Sequence, residues 1–301
     1  MGQDHLHFMK KLKGFRNRYR HNMPWSEVVL KDLQSLFKDC ISFVRNGFRL
    51  PVMVVHPDYP SKRTTIYKIC RKLGYRITNK RLKRAKVVMW FHDTTFATSE
   101  LLVQHYPNLA VINRNCTDIS KNHVDLIHQR VFGYSTIINP EQHNGTAVMK
   151  SDINALHDGQ IIRCPVTETR AGVVYQIVID NDYGNGEYMD YRVPVIRGEI
   201  PLVYSKFKRV AVRFTNDVHR SELHKPDDIF TPSELDLIRK MAEEMGAEFC
   251  EFDVLRDRTS GLIYVIDVNK TPYGPPNGLP KSDSLRAISM LSESFRKAFV
   301  I

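Results

Sequence analysis

The chain has 301 residues, 44 Lys and Arg against 33 Asp and Glu, and an ordinary 42% of apolar residues. That length supports two or three subdomains with a sizeable core and excludes a disordered chain. No apolar run reaches the roughly 20 residues of a membrane span, and the polar, basic start lacks the apolar stretch of a secretory signal.

Cys40, Cys70, Cys116, Cys164 and Cys250 are widely spaced, odd in number and free of C-x-x-C. This argues against a zinc site or a disulfide framework, and for reduced thiols in a cytoplasmic protein. The charge is uneven. Residues 1–90 hold 21 Lys and Arg against 5 Asp and Glu, whereas residues 91–301 hold 23 against 28. A basic first third suits an anionic partner: a phosphorylated or carboxylated small molecule, a saccharide, nucleic acid or an anionic membrane surface. Its plainer reading is a solvated basic face.

Residues 1–22 form a basic arm with interleaved aromatics but no nucleic-acid-binding motif. Trp25–Phe48 reads as one amphipathic helix, with Val28, Leu33, Leu36, Phe37, Ile41 and Val44 near helical spacing. Then come a strand at Leu50–His56, a helix at Thr64–Leu73, a strand at Lys86–Phe91, a short helix at Thr98–His105 and a strand at Leu109–Asn113. Apolar strands alternating with helices predict a parallel sheet. His56, His92, Asp93 and Asn113 fall at its carboxyl ends, where ligands collect.

Ser120–Phe132 reads as a helix capped by Asp118 or Ser120 and stopped by Gly133. Thr146–Lys150 is a strand ending in Lys, followed by a loop with Asn154, His157, Asp158 and Gly159. Val173–Ile179 is a strand running into Asp180 and Asp182. Glu187–Arg197, Pro201–Phe207 and Arg209–Phe214 read as a three-stranded meander, and His219–Asp228 as a polar loop.

The most informative stretch follows. Thr231, Pro232 and Glu234 make a capping box, and Leu235, Ile238, Met241 and Met245 a helical stripe ended by Gly246. Phe249–Leu255 and Leu262–Val268 are two strands joined by a polar turn, carrying Asp253 on the first and Asp267 and Asn269 at the end of the second. Asp267 and Asn269 are two apart and share a face of a regular strand. Two carboxylates and an amide oxygen are hard ligands suited to Mg2+. A Pro- and Gly-rich loop and a closing helix at Ser282–Phe299 complete the chain, with Leu285, Ile288, Leu291, Phe295 and Phe299 expected on its core face.

This order of helix, Gly turn, strand with Asp, strand ending Asp-x-Asn and Pro-rich loop resembles the closing unit of the ATP-grasp superfamily. The resemblance covers about residues 115–280. The chain departs from the pattern in having Asp267 where Glu is commoner, Thr-Pro-Tyr-Gly-Pro-Pro where Ser-Pro-Gly is commoner, and a loop after Lys150 poor in glycine.

The resemblance implies an α/β (α+β) ATP-grasp fold. It implies a basic arm and helix over 1–48, an α/β substrate-side domain over 49–117, and an ATP-grasp domain over 118–301 with a hinge near 176–182. It implies ATP as cofactor with one or two Mg2+, or Mn2+, held by Asp253, Asp267 and Asn269. Lys121, Lys150, Asn154 and His157 are then expected at the phosphates, and the backbone around Gln176, Val178 and Ile179 at the adenine. Asp180, Asp182 or Glu187 is expected at the ribose, and Arg192, Arg213 and Lys206 at the transferred phosphoryl group. The plainer role of Arg192 and Lys206 is salt bridging across the sheet to Asp190. The activity implied is ligation of a carboxylate to an amine through an acylphosphate. The alternatives are a kinase acting on a hydroxyl of an anionic sugar or polyol, and a non-catalytic module binding ATP or a polyanion.

Overall fold

The computed structural model describes residues 50–154, 156, 158–210 and 217–300, with scattered positions between 24 and 44. Every described position from Ser26 to Val44 is helical. Three sheets follow. The first is built from β1 (Val52–Pro57), β2 (Arg76–Thr78), β3 (Ala85–Phe91) and β4 (Val111–Ile112) in the order β2-β1-β3-β4, all pairs parallel. Its strands are connected through α1 (Thr65–Lys72) and α2 (Glu100–His105). Apolar side chains on both sides of β1 and β3, mainly Val and Met, leave two apolar faces to cover. Val54, Val88 and Trp90 pack under Leu102 and Tyr106. Met53, Val55 and Met89 pack under Ile66 and Ile69 of α1.

The second sheet holds β5 (Gly145–Ser151), β6 (Gln160–Cys164) and β7 (Val173–Ile177), antiparallel in the order β6-β5-β7. It follows α3 (Lys121–Phe132), whose N-cap is Ser120 and whose C-cap Gly133 sits at φ 86°, in the left-handed region a glycine tolerates. The third sheet is antiparallel in the order β11-β10-β9-β12-β13, with β8 (Asp182–Gly184) added onto β9. Its members are β9 (Glu187–Ile196), β10 (Val203–Arg209), β11 (Arg220–His224), β12 (Phe249–Arg256) and β13 (Ile263–Asn269).

One face of this sheet packs on α3 and α4 (Pro232–Glu244), where Leu235, Ile238 and Met241 are buried as the stripe predicts. The capping box of α4 is present, Thr231 accepting from Glu234 N and Glu234 from Thr231 N. Gly246 ends this region under steric compulsion: a Cβ there would lie 2.6 Å from Asn115 Cβ. The helix α5 (Lys281–Phe299) packs Ala287, Leu291 and Phe295 against α1, Phe249 and Tyr204, so the first and third sheets share one core.

Two expectations are corrected. The strand that pairs with β10 is β11, within the stretch read as a polar loop. Arg209 ends β10, and 211–214 lie outside the described residues. In β11 only Ser221 is buried and the other four residues are half-buried, so the strand carries no apolar alternation that composition could show. On α5, Leu285 is 63% exposed, and Ala287 takes the buried position near the helix start.

Candidate active site

The site lies on the face of the third sheet opposite α3 and α4. Along β12, Cys250, Phe252 and Val254 enter the core, so Phe249, Glu251, Asp253 and Leu255 share the other face. Phe249 packs against α5. Leu255 joins Ile179 and Tyr264 in a small apolar cluster flanked by Tyr134, Ile177 and Ile266. Two carboxylates therefore sit between two apolar ends.

The ladder sets a charged row across the strands. Tyr204 of β10 is opposite Arg192 of β9, Arg192 is opposite Asp253 of β12, and Asp253 is opposite Asp267 of β13. The last pairing depends on an irregularity. Val254 pairs with Val265 and Asp253 with Asp267, leaving Ile266 as an extra residue. Ile263 and Val265 are in the core, and so is Val268. In a regular strand Asp267 would follow Ile263 and Val265 into that core. The bulge re-aims it, and Asn269 with it, onto the face of Asp253.

Arg192 grips Asp253 with Nε at 3.1 Å and Nη2 at 3.2 Å, and Lys206 Nζ adds a contact at 2.7 Å. Burial pushes the Asp253 carboxyl upward, but Arg192 and Lys206 together outweigh it and hold Asp253 well below the usual carboxylate range. Burial and the neighbouring Arg192 lower the Lys206 ammonium. Asp267 has no such clamp. Its Oδ1 is buried without a hydrogen-bond partner, and burial raises its carboxyl, with Lys121 opposing and Asp253 reinforcing. Like charges directly opposite on a ladder repel.

Across from this row stand the two lysines. Lys121 opens α3, and its Nζ donates to Ile153 O at 3.0 Å. Lys150 is half-buried on β5 and makes no ion pair among the described residues. Burial lowers its ammonium to about 8, against the pull of Asp267. The loop after β5 is tied to α3: Lys121 N donates to Asp152 O, and Asn122 N to Asp152 Oδ1. Asn154 N donates to Thr95 Oγ1.

Other expected residues are engaged in the scaffold. Gln176 is buried in β7 and donates to Thr136 Oγ1. Val178 is half-buried, and Ile179 contributes its side chain to the apolar cluster. Asp180 pairs with Arg258 at 2.9 Å, and Glu187 with His219 and Arg220. Asp182 is exposed and accepts from Gly184 N at 2.7 Å. Asp190 pairs with Lys208 at 2.7 Å, so neither Arg192 nor Lys206 is its partner. Asn113 joins the sheets: its amide accepts from Phe249 N and donates to Phe249 O, both at 2.8 Å. His157 and Arg213 lie outside the described residues.

Sequence reading missed Glu251 and the apolar cluster. Glu251 is two residues before Asp253 and opposite Asn269. Thr65 Oγ1 donates to its Oε1 at 3.3 Å, while Oε2 has no hydrogen-bond partner and lies 3.6 Å from Arg192 Nε. Burial raises this carboxyl to about 7, with Arg192 opposing. The Glu-x-Asp spacing was its only signal in the sequence. Leu255, Tyr264 and Ile266 look like ordinary strand residues until the ladder places them beside Ile179.

The donor chemistry fits a divalent cation. Hard oxygens from Asp253, Asp267 and Asn269 lie on one face, and two opposed carboxylates with an unpartnered buried oxygen need positive charge between them. Asn269 Oδ1 accepts from Thr271 N at 3.0 Å, which fixes its direction.

No protein-family model matches the sequence, and a search of curated proteins finds no match either. Solved structures do match. D-alanine–D-alanine ligase from Bacillus anthracis complexed with ATP superposes with a TM-score of 0.52 at 14% identity, covering 84% of this chain and 97% of that one. A second structure of D-alanine–D-alanine ligase from Bacillus anthracis gives 0.51 at 12% identity, with the same coverage of both chains. The protein thus shares a mixed α/β fold with these ligases. Its architecture, an N-terminal parallel sheet followed by two antiparallel sheets, is the ATP-grasp fold.

Proposed function

We propose that this protein is a Mg·ATP-dependent ligase that activates a carboxylate and joins it to an amine. The observation that carries the reading is the Asp253–Asp267 pair. A bulge sets it on one face, opposite Lys121 and Lys150 and beside the apolar cluster of Ile179, Leu255 and Tyr264. The fold it shares with a ligase crystallised with ATP supports the same choice.

Asp253, Asp267 and Asn269 would hold one or two Mg2+, which when bound neutralise phosphate charge and polarise the transferred group. Lys121 and Lys150 orient the phosphates from the second-sheet side. Ile179, Leu255 and Tyr264 enclose the base and keep water from it. Asp253 positions Arg192 and Lys206, so their charge is preorganised beside the transferring group at no cost at the moment of reaction. Glu251 stands next to Arg192, toward α1 of the first sheet, on the side left for the acceptor. Such chemistry needs positioning and charge, and no side-chain nucleophile.

Phosphorus NMR with Mg·ATP and pooled metabolites tests this reading. ADP and orthophosphate formed only with the pool are expected. A new phosphoester without orthophosphate would show a kinase instead.

A further inference from the structure

The site leaves unused two surface features of the first 90 residues. The first is the segment 26–44, whose described positions are all helical. Leu30, Leu33, Leu36, Phe37, Ile41 and Val44 are all exposed, Phe37 to 69%. At 100° per residue they fall within about 140° of the helix circumference, a continuous apolar stripe. In a soluble helix such a stripe faces a core, and here it faces outward.

The second feature is charge. Residues 62–86 hold eleven Lys and Arg and no Asp or Glu. Lys72, Arg76, Lys80, Arg81, Lys83 and Arg84 are exposed, and none makes an ion pair among the described residues. Arg76 and Ala85 both pair with Val52, at the amino ends of the parallel strands. Asp93, beyond the carboxyl end of β3, accepts from Thr271 beside the candidate site. Arg76, Lys83 and Arg84 therefore stand away from the site, whereas Lys80 follows Asn79, whose amide donates to Pro57 O at the carboxyl end of β1. Six more, Lys10, Lys11, Lys13, Arg16, Arg18 and Arg20, precede the helical segment in sequence.

Three occupants compete for such a surface. Nucleic acid answers the charge but gives the apolar stripe nothing to bury against. A second copy answers the stripe but brings another strongly basic first third against the first. A bilayer with anionic lipids answers both: the stripe sits at the boundary of headgroups and acyl chains, and Lys and Arg neutralise the surface. We propose that segment 26–44 and the basic end of the first sheet dock this protein on an anionic membrane surface. The proposal stands independently of the ligase reading.

Vesicle co-sedimentation of the full chain tests it, using phosphatidylcholine alone and phosphatidylcholine mixed with phosphatidylglycerol. Binding to the mixed vesicles is expected, weakening with added salt, with little binding to the neutral ones. The double variant L33E/F37E should lower partitioning by about a hundredfold, since it removes two inserted side chains. The variant R76E/K83E/R84E should lower it at least about tenfold and flatten the salt dependence. All five positions are exposed, and circular dichroism checks that both variants stay folded. Equal binding to both vesicle types would overturn the proposal, as would unchanged binding by L33E/F37E. Light scattering that shows a dimer dissociated by L33E/F37E, without vesicle binding, would assign the stripe to a second copy. RNA binding insensitive to L33E/F37E, again without vesicle binding, would assign the surface to nucleic acid.

Discussion

The first and third sheets treat charge in opposite ways. Around the first, cations outnumber acids, and Lys72, Arg76, Lys80, Arg81, Lys83 and Arg84 are exposed with no ion pair among the described residues. On the third, Arg192, Lys206 and Asp253 are drawn into one clamp, Lys208 holds Asp190, and Asp267 alone is left unclamped. Screened surface charge contributes little to stability and acts on association at a distance. Enclosed charge is costly unless paired, and an enclosed charge left unpaired marks where a ligand's charge belongs. The same side-chain types thus do different work according to whether water reaches them.

Breaking the clamp should have the largest effect. Asp253→Ala leaves Lys206 without its anion and Arg192 with only Glu251 at 3.6 Å, so it should abolish turnover and cost about 3–5 kcal/mol in denaturant unfolding. Asp267→Ala should abolish turnover equally but leave unfolding stability unchanged or raised, since it relieves the repulsion across the ladder. If both variants lost stability alike, the two carboxylates would share one structural role and the contrast would fail.

His128 sharpens the comparison from another side. It is fully buried between Phe132, Tyr134 and Tyr264 with neither ring nitrogen bonded, and burial lowers it to about 4 despite Asp125. The unfolded imidazole takes its proton near pH 6.5, so the unfolded state binds more protons as pH falls from there to about 4. Stability should drop over that window by roughly 3 kcal/mol. His128→Phe should flatten that part of the melting-temperature profile, and an unchanged slope would assign it to other groups.

Lys150→Ala should weaken ATP binding by about tenfold or more, the worth of a charge-assisted contact. Its ammonium is protonated below about 8 and loses its proton above. In the wild type, ATP affinity measured by calorimetry should therefore fall as pH rises through that value, and the variant should not show this fall. The smallest effect belongs to the first sheet. Lys83→Glu with Arg84→Glu should move unfolding stability by no more than about 0.5 kcal/mol. A larger loss would mean these cations have partners after all.

Much of this arrangement was legible in the sequence where local signals and global packing agree. The capping box of α4, its stripe from Leu235 to Met245, the Gly turn and the paired strands are each encoded within a few residues. So were the carboxyl ends of the parallel strands and the two lysines at the starts or ends of their elements. What stayed hidden depends on contacts distant in sequence. Whether Arg192 faces Asp190 or Asp253 depends on which strand lies beside β9, and that neighbour is β12, some 60 residues away. Asn113 reads as a ligand contact and is a staple to Phe249, 136 residues on. Glu251 shows its character only once Thr65 and Arg192 enclose it.

The extra residue in β13 separates two properties that a regular strand ties together, the length of the strand and the side its residues face. Deleting Ile266 would leave Val265, Asp267, Val268 and Asn269 opposite Val254, Asp253, Phe252 and Glu251 in regular register, with both valines still in the dry interior and the two polar residues still on the wet side. What the deletion would remove is one wall of the apolar cluster, since Ile266 packs there beside Ile179, Leu255 and Tyr264. The bulge thus lets one strand end serve two neighbouring surfaces, an oily one and a charged one, which strict alternation would have kept on opposite sides.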